Sequence, residues 1–290
     1  MTLTAKPIVC LTALGLFACT TATEIDDSAS IASPELVPLW VTADLSEPES
    51  VLPLGDGTYL VSLVGGEGRV KDGNGAIAKL GADGSMINAA WATGLDAPKG
   101  LGMADGKVFV SDIDRVVTID ADTDTLLESV AVPGAGFLND VLAWNGQVLV
   151  SDSANARIYS LRGSEVEVWM EDAELDGVNG LFDGGSHLIV SNMGTGTLLS
   201  VDTDTKAFDV IGDGMENADG IIALDDGTYI VSSWPGTLYH VRGDGSTPSV
   251  LLDTTAEPAT LLNDIARDGD RLLIPNWSPG SVSAYQIVSG

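Results

Sequence analysis

The stretch Leu138-Asn139-Asp140-Val141-Leu142-Ala143-Trp144-Asn145-Gly146-Gln147-Val148-Leu149-Val150-Ser151 contains the pattern that decides the fold. It begins with a four-residue motif whose second residue is polar, and an apolar run follows. A Gly-bearing turn then leads to a second apolar run, which ends in Val-Ser. Asn-Gly between two apolar runs is a strong hairpin signal, because both residues tolerate positive φ. The stretch therefore predicts two antiparallel strands.

This pattern occurs six times in the chain. The second residues of the copies are spaced by 50, 40, 40, 40 and 44 residues. A period near forty, with gaps too short for crossover helices, is typical of a β-propeller. We predict an all-β fold, a six-bladed β-propeller of four-stranded antiparallel blades over residues 36–290. The six motifs are Pro48-Glu49-Ser50-Val51, Pro98-Lys99-Gly100-Leu101, Leu138-Asn139-Asp140-Val141, Val178-Asn179-Gly180-Leu181, Ala218-Asp219-Gly220-Ile221 and Leu262-Asn263-Asp264-Ile265.

Four segments outside the motifs complete the predicted architecture. The apolar segment from Val37 to Ala43 precedes the first copy, and we expect it to form the outer strand of the last blade and close the ring. The Gly-rich segment from Gly65 to Gly75 explains the long first spacing as an insertion over one face. Two acidic runs near Asp120 and Asp202 lack the Gly and the full ligand series of a calcium loop, so they predict β-turns.

The N-terminus predicts export. Residues 1–18 read as a lipoprotein signal peptide, because Lys6 precedes an apolar stretch that closes with Leu16-Phe17-Ala18-Cys19. Lipidation at Cys19, followed by Thr20, would place the protein in the cell envelope, on the periplasmic face of the outer membrane. The alternative is an ordinary cleaved signal in which Cys19 has no role. The polar residues 19–35 predict a disordered tether.

The net charge of the chain limits the classes of ligand and surface that it can bind. Forty-two acidic residues against thirteen basic ones give a net charge of −29, which excludes nucleic acid as a ligand. Anionic lipid would repel the folded domain, so we expect membrane attachment through Cys19 only, and a monomer. The acid excess serves solubility, and it also attracts divalent cations.

The first strand of each propeller blade lines the central channel, so the six second residues of the motifs form a ring at one depth. Five of the six carry an oxygen in the side chain. A hard cation such as Ca²⁺ prefers carboxylate and amide oxygens, whereas zinc is disfavoured because the chain has only two His residues. The alternative is that these residues only shape the strand entrances. The ring consists of Glu49, Lys99, Asn139, Asn179, Asp219 and Asn263.

With Glu49 in the first copy, Asn139 in the third, Asn179 in the fourth and Asp219 in the fifth, the chain resembles the senescence marker protein/gluconolactonase superfamily, which is related to the paraoxonases. The resemblance implies a six-bladed propeller with one divalent metal at the channel mouth. Glu49, Asn179 and Asp219 would be ligands, and Asn139 a further ligand or a substrate contact. Asp219 would also be the general base in hydrolysis of a lactone or related ester.

Two residues depart from that family. Sugar-lactone members commonly carry Arg where this chain has Phe137, which favours an apolar substrate or none. Lys99 places an ammonium in the ring. We expect it to form a salt bridge with one of the many carboxylates; competition with the metal and stabilisation of an oxyanion are the alternatives.

Other polar and aromatic residues recur at matching positions. Trp234 and Trp277, together with Asn263, are expected to wall one side of a substrate pocket. The competing hypothesis for the whole chain is a non-catalytic envelope lipoprotein that serves as a ligand- or protein-binding scaffold.

A further set of polar residues follows the second strands of the blades, and we expect these residues to cap strand ends. These residues are Asp112, Asp152, Asn192, Ser233 and Asn276.

Overall fold

The computed structural model describes residues 32–290, which form a six-bladed β-propeller, as the repeat predicted. Each of the first five blades is a four-stranded antiparallel sheet in sequence order, from the channel outward. No helix within residues 32–290 is both long and apolar enough to cross a membrane. A single 3₁₀ turn, Ala173–Leu175, lies between blades 3 and 4.

The strand bounds follow the hairpin and turn signals of the sequence. The predicted outer strand of the last blade is β1 (Glu35–Thr42). Blade 1 contains β2 (Pro48–Pro53), β3 (Tyr59–Leu63), β4 (Gly75–Leu80) and β5 (Met86–Leu95). Blade 2 contains β6 (Pro98–Ala104), β7 (Lys107–Asp112), β8 (Arg115–Asp120) and β9 (Leu126–Ala131). Blade 3 contains β10 (Leu138–Trp144), β11 (Gln147–Asp152), β12 (Arg157–Arg162) and β13 (Glu165–Glu171).

The last three blades complete the ring. Blade 4 contains β14 (Val178–Asp183), β15 (His187–Asn192), β16 (Thr197–Asp202) and β17 (Phe208–Gly212). Blade 5 contains β18 (Ala218–Ala223), β19 (Tyr229–Ser233), β20 (Thr237–Val241) and β21 (Ser249–Asp253). Blade 6 contains β22 (Leu261–Leu262), β23 (Ala266–Asp268), β24 (Arg271–Ser278) and β25 (Ser281–Val288).

Blade 6 joins the two ends of the described chain. Strand β1 pairs with β25 from Glu35↔Val288 to Thr42↔Val282, which confirms the predicted closure. The inner edge of this blade differs from the other five, because β22 ends within the motif at Leu262 and β23 begins beyond it at Ala266; both strands pair with β24. The ring therefore closes by pairing an N-terminal strand with the C-terminal hairpin, which covers strand edges that would otherwise be exposed.

The hydrophobic core lies between the blades. Six clusters of buried apolar side chains each fill the space between two neighbouring sheets. Leu60, Leu101 and Ile119, for example, pack together between blades 1 and 2. Buried apolar surface contributes about 25 cal/mol per Å² to stability, so each interface between blades stabilises the fold. The packed blades thus hold their inner strands at fixed positions around the axis.

The predicted turns and the start of the domain can also be located. Asp120 Oδ1 accepts the amides of Asp122 and Thr123, so this acidic run is a turn between third and fourth strands, as predicted. At the end of the predicted tether, Pro34 is buried, and Ser33 Oγ lies 3.2 Å from His240 Nδ1. The predicted signal peptide, Cys19 and the tether up to residue 31 lie outside the described residues.

Candidate metal and substrate site at the channel mouth

A β-bulge positions the candidate site in each of the first five blades. In blade 3 the pairing passes from Leu138↔Asp152 to Val141↔Val150, so Asn139 and Asp140 together face one residue of the partner strand. That residue is Ser151, whose Oγ accepts the amide of Asp140 at 2.9 Å. Equivalent bonds join the third motif residue to the Val-Ser serine in blades 1, 4 and 5. The serine hydroxyl thus satisfies an amide that the bulge removes from the ladder.

All six second motif residues line one cavity, and the bulge positions five of them. We call the six residues the mouth ring: Glu49, Lys99, Asn139, Asn179, Asp219 and Asn263. The cavity has a volume of about 330 Å³, and its remaining lining includes Phe137, Trp234 and Trp277. Every residue predicted for the metal or the substrate pocket therefore lies on this one surface. Each member of the ring is more than nine-tenths buried.

The four predicted metal ligands also share a narrower space beneath that cavity, lined by Glu49, Asn139, Asn179 and Asp219. The Asn139 amide nitrogen lies 3.4 Å from Ser153 Oγ, and that of Asn179 lies 3.2 Å from Met193 Sδ. Neither amide oxygen accepts a hydrogen bond from residues 32–290.

The two carboxylates in this set are likewise free of hydrogen bonds from any described residue, although both are buried. Glu49 is 8% exposed and Asp219 is 5% exposed. Ser191 fixes the Asp219 backbone instead, because its hydroxyl donates to the Asp219 carbonyl oxygen. Buried carboxylates normally accept hydrogen bonds or bind a cation. Four side chains with unbonded acceptor oxygens fit the coordination chemistry of a hard divalent cation.

The carboxyl groups also influence one another. Burial, followed by repulsion from Asp219 and Asp264, raises the pKa of Glu49 well above its ordinary value. Burial and then Asp264 raise the pKa of Asp219 in the same way. A cation bound between them would favour their ionised forms. No group of three or more His, Cys, Asp or Glu side chains within residues 32–290 is arranged to hold a metal, so a metal here would depend on the Asn oxygens.

The third motif residues form a second ring, which the sequence reasoning missed. We call it the inner ring: Ser50, Gly100, Asp140, Gly180, Gly220 and Asp264. Asp140 accepts the amides of Val141 and Leu181, both at 2.7 Å, and so links blade 3 to blade 4. Asp264 accepts the Ser50 hydroxyl at 2.6 Å and links blade 6 to blade 1.

The charge state of the inner ring follows from its position within the channel. Burial raises the pKa of Asp264 to about 6, although the hydrogen bonds from Ser50 and Ile265 oppose that shift. Burial and then Asp264 raise the pKa of Asp140, against the bonds from two amides. The signal that could have revealed these residues was present in the sequence, because two of the six motifs have Asp as the third residue.

The salt bridge expected for Lys99 is wrong. Across residues 32–290, no carboxylate lies within 4.0 Å of its ammonium. Lys99 Nζ donates instead to Gly68 O at 3.0 Å and to Ala97 O at 3.1 Å, and it lies 4.4 Å from the centroid of the Phe137 ring. Burial lowers the pKa of Lys99, against the attraction of Glu49 and Asp112. Asp112 is occupied elsewhere, because it is bonded to backbone amides and to Arg115.

Aromatic side chains wall the outer part of the cavity. The Trp234 and Trp277 rings meet edge to face with centroids 6.4 Å apart. The β3–β4 loop, residues 64–74, reaches the mouth, where Gly68 lines the cavity and the Arg69 guanidinium lies 3.8 Å from the Phe137 centroid. Met193 completes the apolar wall and was missed, because a lone Met carries no signal in the sequence. The mouth is therefore apolar above and oxygen-rich below.

Three of the five residues expected to cap strand ends bond backbone groups, because Ser233 donates to the Glu216 carbonyl oxygen and the two Asp residues accept amides. Asn192 and Asn276 bond only side-chain hydroxyls instead. Asp112 accepts the amides of Asp96 and Ala97, and Asp152 accepts those of Gly136 and Phe137. The Asp152 bond fixes the backbone immediately before β10. Phe137 is thereby held at the cavity wall two residues ahead of Asn139.

Comparison with known proteins shows the fold. No protein-family model matches the chain, and no curated protein matches it. Virginiamycin B lyase from Staphylococcus aureus is 12% identical, with a TM-score of 0.62 over 88% of this chain and 100% of that one. A structure designated a gluconolactonase is 16% identical, with a TM-score of 0.65 over 89% and 94%. The nidogen/laminin complex contains a chain 15% identical, with a TM-score of 0.63 over 79% and 89%. At these identities the likeness is one of fold, a propeller shared by proteins of different functions.

Proposed function

We propose that this protein is a calcium-dependent hydrolase of a lactone or related ester, with its active site in the mouth ring. The observation that supports the proposal is that four buried residues, Glu49, Asn139, Asn179 and Asp219, carry side-chain oxygens that accept no hydrogen bond from residues 32–290. These oxygens lie directly beneath an apolar cavity of a size that suits a small molecule. An oxygen-rich floor under an apolar wall is the arrangement that an ester with an apolar acyl or alkyl part requires.

The proposed ligand set is Glu49, Asn179 and Asp219, with Asn139 beside them. A bound divalent cation would polarise the ester carbonyl and make water more acidic at neutral pH. The chain's own contribution is to hold the four oxygens in place. The bulge, the Val-Ser serines and the amide contacts to Ser153 and Met193 fix their direction before any ligand arrives.

Asp219 is the proposed general base. Burial and the Asp264 carboxylate raise its pKa, so its carboxylate has a stronger affinity for a proton than an exposed Asp. A base must also reach the proton that it removes. Asp219 meets that requirement because it lines both the floor and the cavity above it.

The aromatic wall sets the proposed substrate preference. Phe137, Trp234 and Trp277 offer ring faces and edges to an apolar group. Packing of an apolar group against these side chains would also exclude water from the reacting carbonyl. We expect alkyl- or aryl-substituted lactones and esters to react faster than sugar lactones.

A hydrolysis panel tests the proposal. Substituted lactones, aryl esters and a sugar lactone are assayed with calcium and with excess chelator, using wild type and Asp219→Asn. Asp209→Asn, on the exposed face of β17, is the matched control. We expect turnover that requires calcium, is lost in Asp219→Asn and persists in the control. If calcium binds but every substrate stays intact, the protein is a non-catalytic scaffold.

We further propose that the protein acts in the cell envelope, lipid-anchored at Cys19 on the periplasmic face of the outer membrane. This rests on the residues preceding the propeller. Metabolic labelling with a fatty acid and membrane fractionation would test it, with Cys19→Ser as the comparison. Label and membrane association should both be lost in that variant. An unlabelled, fully soluble wild type would contradict the anchor.

A further inference from the structure

Two cations beside the mouth cavity lack an ionic partner. Lys99 and Arg69 form no ion pair with any residue of the described chain, 32–290, whereas their basic neighbours do. Lys71 pairs with Asp114 at 2.6 Å, and Arg115 pairs with Asp112 at 2.7 Å. Several exposed basic residues of the described chain also lack a carboxylate partner, but Lys99 is buried, and a buried cation without such a partner calls for a reason.

Lys99 is placed to bind a ligand. It is 4% exposed, and it lines the cavity. An ammonium group has three N–H donors, of which two are directed at the carbonyl oxygens of Gly68 and Ala97. The third donor has no partner among residues 32–290, and the charge is offset only by the Phe137 ring and by longer-range attraction from Glu49 and Asp112. A buried charge is costly unless it is paired, so an anion delivered by a ligand would complete this site.

Arg69 adds a second positive charge on the Phe137 ring; its exposed side chain contacts that ring but does not line the cavity itself. Its guanidinium lies on the Phe137 ring at 3.8 Å, and Lys99 lies 4.4 Å from the same ring centroid. The planar guanidinium presents forked donors that match a carboxylate. Phe137 thus holds both cations next to the apolar wall of the cavity.

The rest of the wall defines the body of the ligand. Phe137, Met193, Trp234 and Trp277 are apolar, and the cavity of about 330 Å³ lies within the range of small-molecule sites. Glu49 and Asp219 line the floor and would repel an anion. A negatively charged head is therefore favoured only on the side of Lys99 and Arg69.

We propose that the mouth cavity binds an organic carboxylate with an apolar body, whose head contacts Lys99 and Arg69 and whose body packs against Phe137, Trp234 and Trp277. This deepens the proposed function: the substrate is an ester or lactone that carries a separate carboxylate. The reaction rests on that proposed function, but the binding does not. A cation on the floor would reduce the repulsion from Glu49 and Asp219, so calcium should tighten binding of the carboxylate.

Binding of octanoate and of octanol, measured by titration calorimetry in chelator, tests the inference. The two probes share an alkyl chain and differ in the head group. Wild type should prefer octanoate by about tenfold or more, although octanol is the less polar molecule. Lys99→Met should weaken octanoate roughly 10- to 100-fold and leave octanol unchanged. Lys206→Met is the control, because Lys206 lies on Trp169 at a separate surface position.

The outcomes separate this inference from the proposed hydrolase. Equal affinity of wild type for the two probes overturns the inference, whether or not Lys99→Met folds. An unchanged octanoate affinity in folded Lys99→Met also overturns it. If calcium fails to bind and no ester is cleaved, but octanoate binding still depends on Lys99, the hydrolase is wrong and the anion site stands.

Discussion

The mouth ring and the inner ring consist of consecutive residues on the same strands, yet their side chains have different environments. In the mouth ring, Glu49 and Asp219 are buried and accept no hydrogen bond from a described residue. In the inner ring, Asp140 accepts two backbone amides, and Asp264 accepts an amide and a hydroxyl. One bulge thus presents a ligand-binding position and a bracing position side by side.

The hydrogen bonds that a buried carboxylate accepts distinguish a binding carboxylate from a structural one in a repeated fold. A carboxylate that joins neighbouring blades stabilises the ring and has little capacity left for a cation. A buried carboxylate without donors destabilises the empty protein, and a ligand relieves that cost. Substitutions in the two rings should therefore have opposite signatures in activity and in stability.

The largest effect is expected for Asp219→Asn in the mouth ring. Loss of a charged ligand removes several kcal/mol of transition-state stabilisation, so hydrolysis should fall roughly 1,000-fold. The free energy of unfolding in chelator should stay unchanged or rise, because the substitution removes repulsion with Asp264. Steady-state kinetics and chemical denaturation measure both effects. A large loss of stability in chelator would show that Asp219 braces the fold after all.

The next effect is expected for Asp140→Ala in the inner ring. The amides of Val141 and Leu181 would lose their acceptor, which should lower the free energy of unfolding by about 3 kcal/mol. Denaturant titration measures this, with the exposed Asp209→Ala as the control. A variant as stable as wild type would contradict the bracing role of Asp140.

A smaller loss is expected for Gly220→Ala. A Cβ at this position would overlap Asp264 Oδ1 and the Ile265 amide nitrogen of the neighbouring blade. Overpacking of this kind destabilises by about 2 kcal/mol. Gly68→Ala is the control, because a Cβ there meets no atom within 4 Å. Equal thermal midpoints for the two variants would show that blades 5 and 6 do not pack as closely as described.

The smallest effect is expected for Ser50→Ala. This substitution removes the hydroxyl that donates to Asp264 across the junction of blades 6 and 1, at a cost of about 1 kcal/mol. The exposed Ser186→Ala is the control. Differential scanning calorimetry should show a lower midpoint for Ser50→Ala alone. An identical midpoint would mean that β1 and β25 close the ring without help from this bond.

Much of the fold was predictable because one hairpin pattern is repeated. The spacing predicted six blades, and the apolar segment before the first copy predicted the closing strand β1. The mouth ring was also predictable, since equivalent residues of equivalent strands must lie at one depth. Blade 6 was less predictable. Pro275 replaces the Val-Ser serine there, and the inner strand divides into β22 and β23.

The remaining features of the candidate site could not be predicted, because they depend on contacts between residues far apart in sequence. Lys99 was expected to form a salt bridge on charge statistics alone, but the loop carbonyl of Gly68 and the ring of Phe137 occupy its surroundings. The position of Arg69 follows from the path of a Gly-rich loop, which no local pattern specifies. Asp140 was overlooked because its role depends on Leu181 in the next blade.

Calcium titration of chelator-treated protein by isothermal calorimetry is the most direct test of the proposed metal site. If Glu49, Asn139, Asn179 and Asp219 form a site for one divalent cation, we expect saturable binding of one calcium ion per chain. We also expect a higher thermal midpoint in calcium than in chelator. No binding heat, together with identical thermal midpoints in calcium and in chelator, would contradict the proposed site.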